Sequence, residues 1–172
     1  MTTTPTAPAR PDAIDAGQPS LAAQYCTFWV DGLHLGLGVE HVQEVLRYQQ
    51  LTRVPNAQST VRGLINLRGQ IVTALDLRSR LGLPPRDADA LPMNVVVRSR
   101  GEVAALLVDD IGDVMDTAGH RLQPTPANLP PTVQEVVLGV VPLSDSILLI
   151  LDADRAVDVP HAPDTHAIGG KP

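Results

Sequence analysis

The sequence predicts a mainly β, internally repeated fold: two small five-stranded barrels that carry short helices and share a core. Three observations lead there. Apolar residues make up 44% of a 172-residue chain, enough for a packed interior, and with only Tyr25, Phe28, Trp29 and Tyr48 aromatic that interior rests on Val, Leu, Ile and Ala. Side chains of this kind suit pleated strands. The 13 glycines and 16 prolines cut the apolar runs into strand-sized pieces. Finally, the chain matches itself. GLGVEHVQEVLR from Gly36 aligns with ALLVDDIGDVMD from Ala105 at a spacing of 69, pairing Val42 with Ile111 and Glu44 with Asp113, and IVTALD from Ile71 aligns with ILLILD from Ile147 at a spacing of 76. The second spacing exceeds the first by seven, and those residues fit in the Pro-rich loop before Val133.

Residues 1–22 hold Thr, Pro, Ala and Asp with few large apolar side chains, too little to offset the entropy of ordering them. This segment is expected to be a flexible tail, as are residues 160–172. Order is expected from Gln24, within a domain over residues 23–159 whose barrels divide roughly as 24–90 and 91–157. Tyr25 opens a strand that turns at Asp31-Gly32. Residues 39–46 carry Val39, Val42, Val45 and Leu46 at helical spacing with polar residues between, which fits a short helix or an irregular strand.

Residues 61–67 and 71–75 form a hairpin around Arg68-Gly69, and Asp76 caps a short helix over 77–81 that Gly82 and Pro84 stop. The second copy repeats the plan: strands at 94–98 and 103–108 around Arg100-Gly101, an amphipathic segment at 109–116, strands at 136–143 and 147–151, and a helix over 153–157 capped by Asp152. Barrels closed in this way hide their edges, and their junction is expected to leave an apolar groove for a partner helix.

The repeat separates what the fold needs from what it does not. Gly63 matches Gly139 and Asp76 matches Asp152, whereas Asn66-Leu67-Arg68-Gly69 faces Pro142-Leu143-Ser144-Asp145. A planar, always-charged donor at an exposed turn is thus peculiar to the first copy and is the leading candidate for partner contact; its plain alternative is a surface salt bridge. Glu44 is expected on the exposed side, with Val42 and Ile111 near the junction, and Arg62 is read as a structural pairing partner.

The composition excludes several functions. A net charge of −6 and scattered arginines argue against nucleic acid. No 18-residue apolar stretch and no signal-like N-terminus point to a cytoplasmic protein without membrane insertion. His34, His41, His120, His161 and His166 form no zinc pair, Gly36-Leu37-Gly38 lacks the third glycine of a dinucleotide loop, and Asp109, Asp110, Asp113 and Asp116 lack a calcium loop's glycine and glutamate, reading instead as a solvated acidic face. Cys26 is expected to be a buried, inert thiol. An enzyme or small-ligand receptor on a β-barrel would need convergent titratable groups that the sequence does not supply.

Residues 25–30, Val42-Gln43-Glu44-Val45, Thr52-Arg53-Val54-Pro55-Asn56, Val61-Arg62-Gly63, Asn66-Leu67-Arg68-Gly69, Asp76-Leu77-Arg78 and Val108-Asp109 together resemble, in order and spacing, the CheW family of bacterial chemotaxis coupling proteins over residues 24–159. The resemblance implies two SH3-like barrels, no catalysis and no cofactor. It also implies an adaptor role between the cytoplasmic tip of methyl-accepting chemoreceptors and the regulatory domain of the histidine kinase CheA, at membrane receptor arrays. Position by position, Val42, Glu44, Gly63 and Arg68 fall where the family couples to receptors, Asn66 and Gly69 complete that hairpin tip, and Ile111 lies on the groove wall. Kinase-contact residues are not identified by these motifs. The chain departs from the family at residues 34–38, where it reads HLGLG. The same fold could also serve a chemosensory-like system controlling pili or another output.

Overall fold

The computed structural model describes residues 21, 22 and 24–159. The first copy supplies β1 (Gln24–Val30), β2 (Leu33–Gly38), β3 (Val42–Leu46), β4 (Val61–Leu67), β5 (Gln70–Asp76) and α1 (Leu77–Arg80). The second supplies β6 (Met93–Ser99), β7 (Glu102–Val108), β8 (Asp110–Asp116), α2 (Pro131–Gln134), β9 (Val137–Pro142), β10 (Ile147–Leu151) and α3 (Ala153–Val157). A 3₁₀ turn at Val39–His41 precedes β3, so the segment left open between helix and strand is both in succession. Asp76 and Asp152 cap α1 and α3, their carboxylates accepting from the amides of Arg78 and Arg155 at 3.1 Å each.

The barrels do not follow the two halves of the sequence. One sheet runs β8-β1-β2-β10-β9 and the other β3-β6-β7-β5-β4. Each copy therefore lends strands to both sheets, joined by the parallel pairs β2–β10 and β5–β7. The division near residue 90 separates the sequence copies and leaves both sheets mixed. Each sheet then curls until its edges meet. Beyond β3, Thr52 pairs with Leu64 of β4 through two 2.8 Å hydrogen bonds; beyond β8, Gln123 pairs with Val140 of β9 at 2.8 and 2.9 Å. These bridges close two SH3-like barrels and remove unpaired edges there.

Three apolar clusters follow. Ile65, Leu67, Val72, Val96 and Leu107 fill one barrel, and Tyr25, Val141, Leu148 and Ile150 fill the other. The largest lies between them, where Phe28, Leu35 and Leu37 of one sheet meet Leu75, Val95, Val97 and Leu106 of the other. The junction expected to be an open groove is thus packed over these residues. Full burial of each such side chain contributes about 1.5–3 kcal/mol, which favours a filled seam over an open one. Ordered chain also begins before Gln24. Leu21 and Ala22, assigned above to the tail, pack against the Tyr25 cluster, and the Ala22 carbonyl accepts from the Thr117 hydroxyl at 2.7 Å. The remaining tail expectations lie outside the described residues.

Candidate functional site

The hairpin tip is built by its own backbone. Arg68 and Gly69 take φ of 51° and 89°, the two-residue reversal that matches strand twist. The Asn66 carboxamide braces it, accepting from the Gly69 amide at 2.8 Å. Arg68, 83% exposed, then reaches over to Glu44 on β3, their charged atoms 3.0 Å apart. Glu44 is only 19% exposed, which corrects its expected place on the open side. As a strand residue it faces inward with Val42 and Leu46, while Gln43 and Val45 face out.

Glu44, Asn66, Arg68 and Gly69 are therefore one constellation. Val42 shares the strand but packs, half-buried, against the central cluster, and Ile111 does so from β8 in the other sheet. Gly63 is buried at φ 152°, and a methyl group there would collide with the Thr52 carbonyl oxygen. It shapes the surface by closing the barrel. Its twin Gly139 stands in the same relation to the Gln123 carbonyl. Arg62 stands 3.9 Å from the Asp76 carboxylate, a loose pairing in line with its structural reading.

At the other end of β5 from the tip, beside α1, Asp109 departs from its reading as part of a solvated acidic face. Arg78 binds it at 2.7 Å and Arg86 at 2.8 Å, and it accepts from the Asp31 amide at 2.7 Å. Burial alone would raise its pKa, but the Arg78 hydrogen bonds, the Asp31 amide and Arg86 together hold it below the ordinary carboxylate range. The cluster staples the β1–β2 turn of one barrel to α1 and the 84–92 connector of the other. Cys26 is buried and burial pushes its thiol up.

Two apolar side chains that the sequence pattern grouped with inward positions face outward. Val45 and Val114, matched at the spacing of 69, are both exposed, the latter at 57%. An apolar residue kept on an outward strand position in both copies was the available signal. Among the described residues, no group of three or more His, Cys, Asp or Glu could hold a metal ion, and no helix is long and apolar enough to cross a membrane.

Comparison with known proteins bears on the family and the fold. The CheW-like domain family model matches residues 24–160. The chemotaxis protein CheW of Klebsiella aerogenes is 25% identical over 136 residues, covering 79% of this chain and 82% of that protein; its Bacillus subtilis counterpart is 27% identical over 131 residues, covering 76% and 84%. Protein FrzA of Myxococcus xanthus is 37% identical over 67 residues, 39% of this chain and 42% of that one. The crystal structure of the scaffolding protein TtCheW from Thermoanaerobacter tengcongensis superposes with a TM-score of 0.69 at 24% identity, covering 81% of this chain and 95% of that one; it supports the fold of two five-stranded barrels. With the family match spanning most of the chain, this protein belongs to the CheW-like family of chemotaxis coupling proteins.

Proposed function

We propose that this chain, a non-enzymatic coupling adaptor by family, joins the cytoplasmic tip of methyl-accepting chemoreceptors to the regulatory domain of the histidine kinase CheA. It acts in the cytoplasm, at receptor arrays. The observation that supports a specific receptor surface is the Arg68–Glu44 pair at 3.0 Å, carried on a turn that the second copy replaces with Ser144-Asp145. The guanidinium contacts Glu44 through one nitrogen and, among the described residues, makes no other side-chain hydrogen bond or ion pair, so its other donors can meet carboxylates or carbonyls on a receptor helix. Val42 and Ile111 offer apolar contact along the margin of the packed seam, and Asn66, Gly69 and Gly63 hold the tip in place.

The test is co-elution on size exclusion with purified receptor-tip and kinase regulatory-domain fragments. Arg68→Asn and Glu44→Lys are expected to lose the receptor fragment and keep the kinase fragment. Unchanged receptor affinity in both variants rejects the receptor assignment. The partial likeness to protein FrzA of Myxococcus xanthus favours a second reading: coupling in a chemosensory system with another output. Pull-down from the native cell, identifying which receptor and kinase co-purify, separates the two.

A further inference from the structure

The repeat gives surface features of one barrel an internal control in the other, and besides the Arg68 tip a second feature fails to match. A cleft of about 540 Å³ opens between the 47–60 loop and the 84–92 connector, and one of about 280 Å³ lies in the other barrel. The two are counterparts by sequence. Leu107, Arg62, Asp76 and Leu91 line the first, and the residues matched to them at spacings of 69 and 76, Gly38, Leu138, Asp152 and Ala22, line the second. Folding produces both clefts, so it does not account for the differences between them.

Those differences all run one way. The first cleft has about twice the volume. Three large apolar side chains, Tyr48, Val54 and Leu91, stand on it still exposed, Leu91 at 65%. The charge is also reversed. The smaller cleft carries Glu40, Asp152 and Asp154 with His41, whereas the larger carries Arg53, Arg62 and Arg86 against Asp76 and Asp87, on a chain of net charge −6. Asp76 caps α1 and stands 3.9 Å from Arg62, and Arg86 is held by Asp109 at 2.8 Å, so Arg62 is only loosely paired and Arg53 shows no ion pair among the described residues. The walls are already fixed, one by the Thr52–Leu64 bridge and the other by Arg86 on Asp109, so an occupant would not have to order them. None of Glu44, Asn66, Arg68 or Ile111 lines it.

We propose that this larger cleft docks a segment of a partner protein that combines apolar with acidic side chains. The apolar residues cover Tyr48, Val54 and Leu91, and the carboxylates meet Arg53 and Arg62. An open trough with a wet apolar rim suits a peptide better than an enclosed small molecule.

The probes are two dye-labelled synthetic peptides, one of Leu-Leu-Glu-Glu repeats and one of Leu-Leu-Lys-Lys repeats, followed by fluorescence polarisation on the full chain. The acidic peptide is expected to bind at least about tenfold more tightly at low salt, to weaken about tenfold with Arg53→Glu or Leu91→Ser, and to tighten with Asp87→Lys. Arg68→Asn should leave this binding unchanged, which keeps the cleft distinct from the proposed receptor surface. Equal binding of the two peptides, indifference to Arg53→Glu and Leu91→Ser, or loss with Arg68→Asn overturns the proposal. Self-association abolished by Leu91→Ser would assign the cleft to a second copy and likewise overturn it.

Discussion

Arg68 sits in the turn that follows β4 and Glu44 lies on β3, the two outermost strands of one sheet, yet their charged atoms stand 3.0 Å apart. Sheet order makes them distant; barrel closure makes them neighbours. Because Arg68 is 83% exposed, the pair is worth at most about 1 kcal/mol to stability. Arg68 also sits at φ 51°, where a side chain other than Gly, Asn or Asp costs about 1 kcal/mol. Arg68→Asn removes the charge and relieves that strain together, so its unfolding free energy from urea melts is expected within about 0.5 kcal/mol of wild type. The swap Glu44→Arg with Arg68→Glu keeps an attractive pair but inverts the presented charge. Near-native stability with lost receptor binding in both variants separates surface recognition from barrel closure.

Gly63 and Gly139 make the repeat testable at the level of packing. A Cβ at either position meets the carbonyl of the closing segment, Thr52 or Gln123. Gly63 has the added burden of φ 152°, which L residues rarely adopt. Gly63→Ala is expected to cost about 2–4 kcal/mol and Gly139→Ala less. Equal, near-zero losses in chemical denaturation would mean that the closing bridges yield freely.

How far the sequence carries this fold depends on whether a signal is local. The turns at Asp31-Gly32, Arg68-Gly69 and Arg100-Gly101 and the caps at Asp76 and Asp152 depend on a few adjacent residues and are legible one by one. The repeat reveals which residues are equivalent, but equivalence does not say which sheet a strand joins. The β2–β10 and β5–β7 pairings join residues far apart in the chain, and no local chemistry announces them. Glu44 was misplaced for a related reason. A helical spacing groups Val42, Val45 and Leu46, whereas the strand period of two groups Val42, Glu44 and Leu46 and turns Val45 outward. Asp109 looked like one of four solvated aspartates because both its arginines come from the first copy and the connector.

That Asp109 cluster predicts an acid response. Its folded pKa is depressed, so below about pH 4, near the unfolded value, the unfolded chain takes up the proton first. Stability from this group is therefore complete above that pH and falls as pH drops through the folded value. Asp109→Asn leaves Arg78 and Arg86 half-paired and is expected to cost about 2–3 kcal/mol at pH 7, allowing for the partial exposure of the group. The gap to wild type should narrow as both are titrated towards pH 2.5. A gap that stays constant across that range, measured by urea melts, would assign the loss to packing instead of charge.

The exchange of strands between sheets leads to a sharper expectation for the halves themselves. If each sequence copy were an independent barrel, a fragment ending near residue 88 would fold alone. In the observed topology that fragment keeps β1 and β2 without β8, β9 and β10, and keeps β3, β4 and β5 without the central β6 and β7. Phe28, Leu37 and Leu75, all nearly or fully buried in the central cluster, would then face water. Burial of such side chains is worth about 1.5–3 kcal/mol each, a large fraction of the about 5–15 kcal/mol that stabilises a domain. Fragments 1–88 and 89–172 are therefore expected to lack stable β structure separately. Mixed in equal amounts they should recover the β signal of the intact chain in circular dichroism, at concentrations high enough to replace the connector that normally holds the halves together. Folding of either fragment by itself would contradict the mixed sheets.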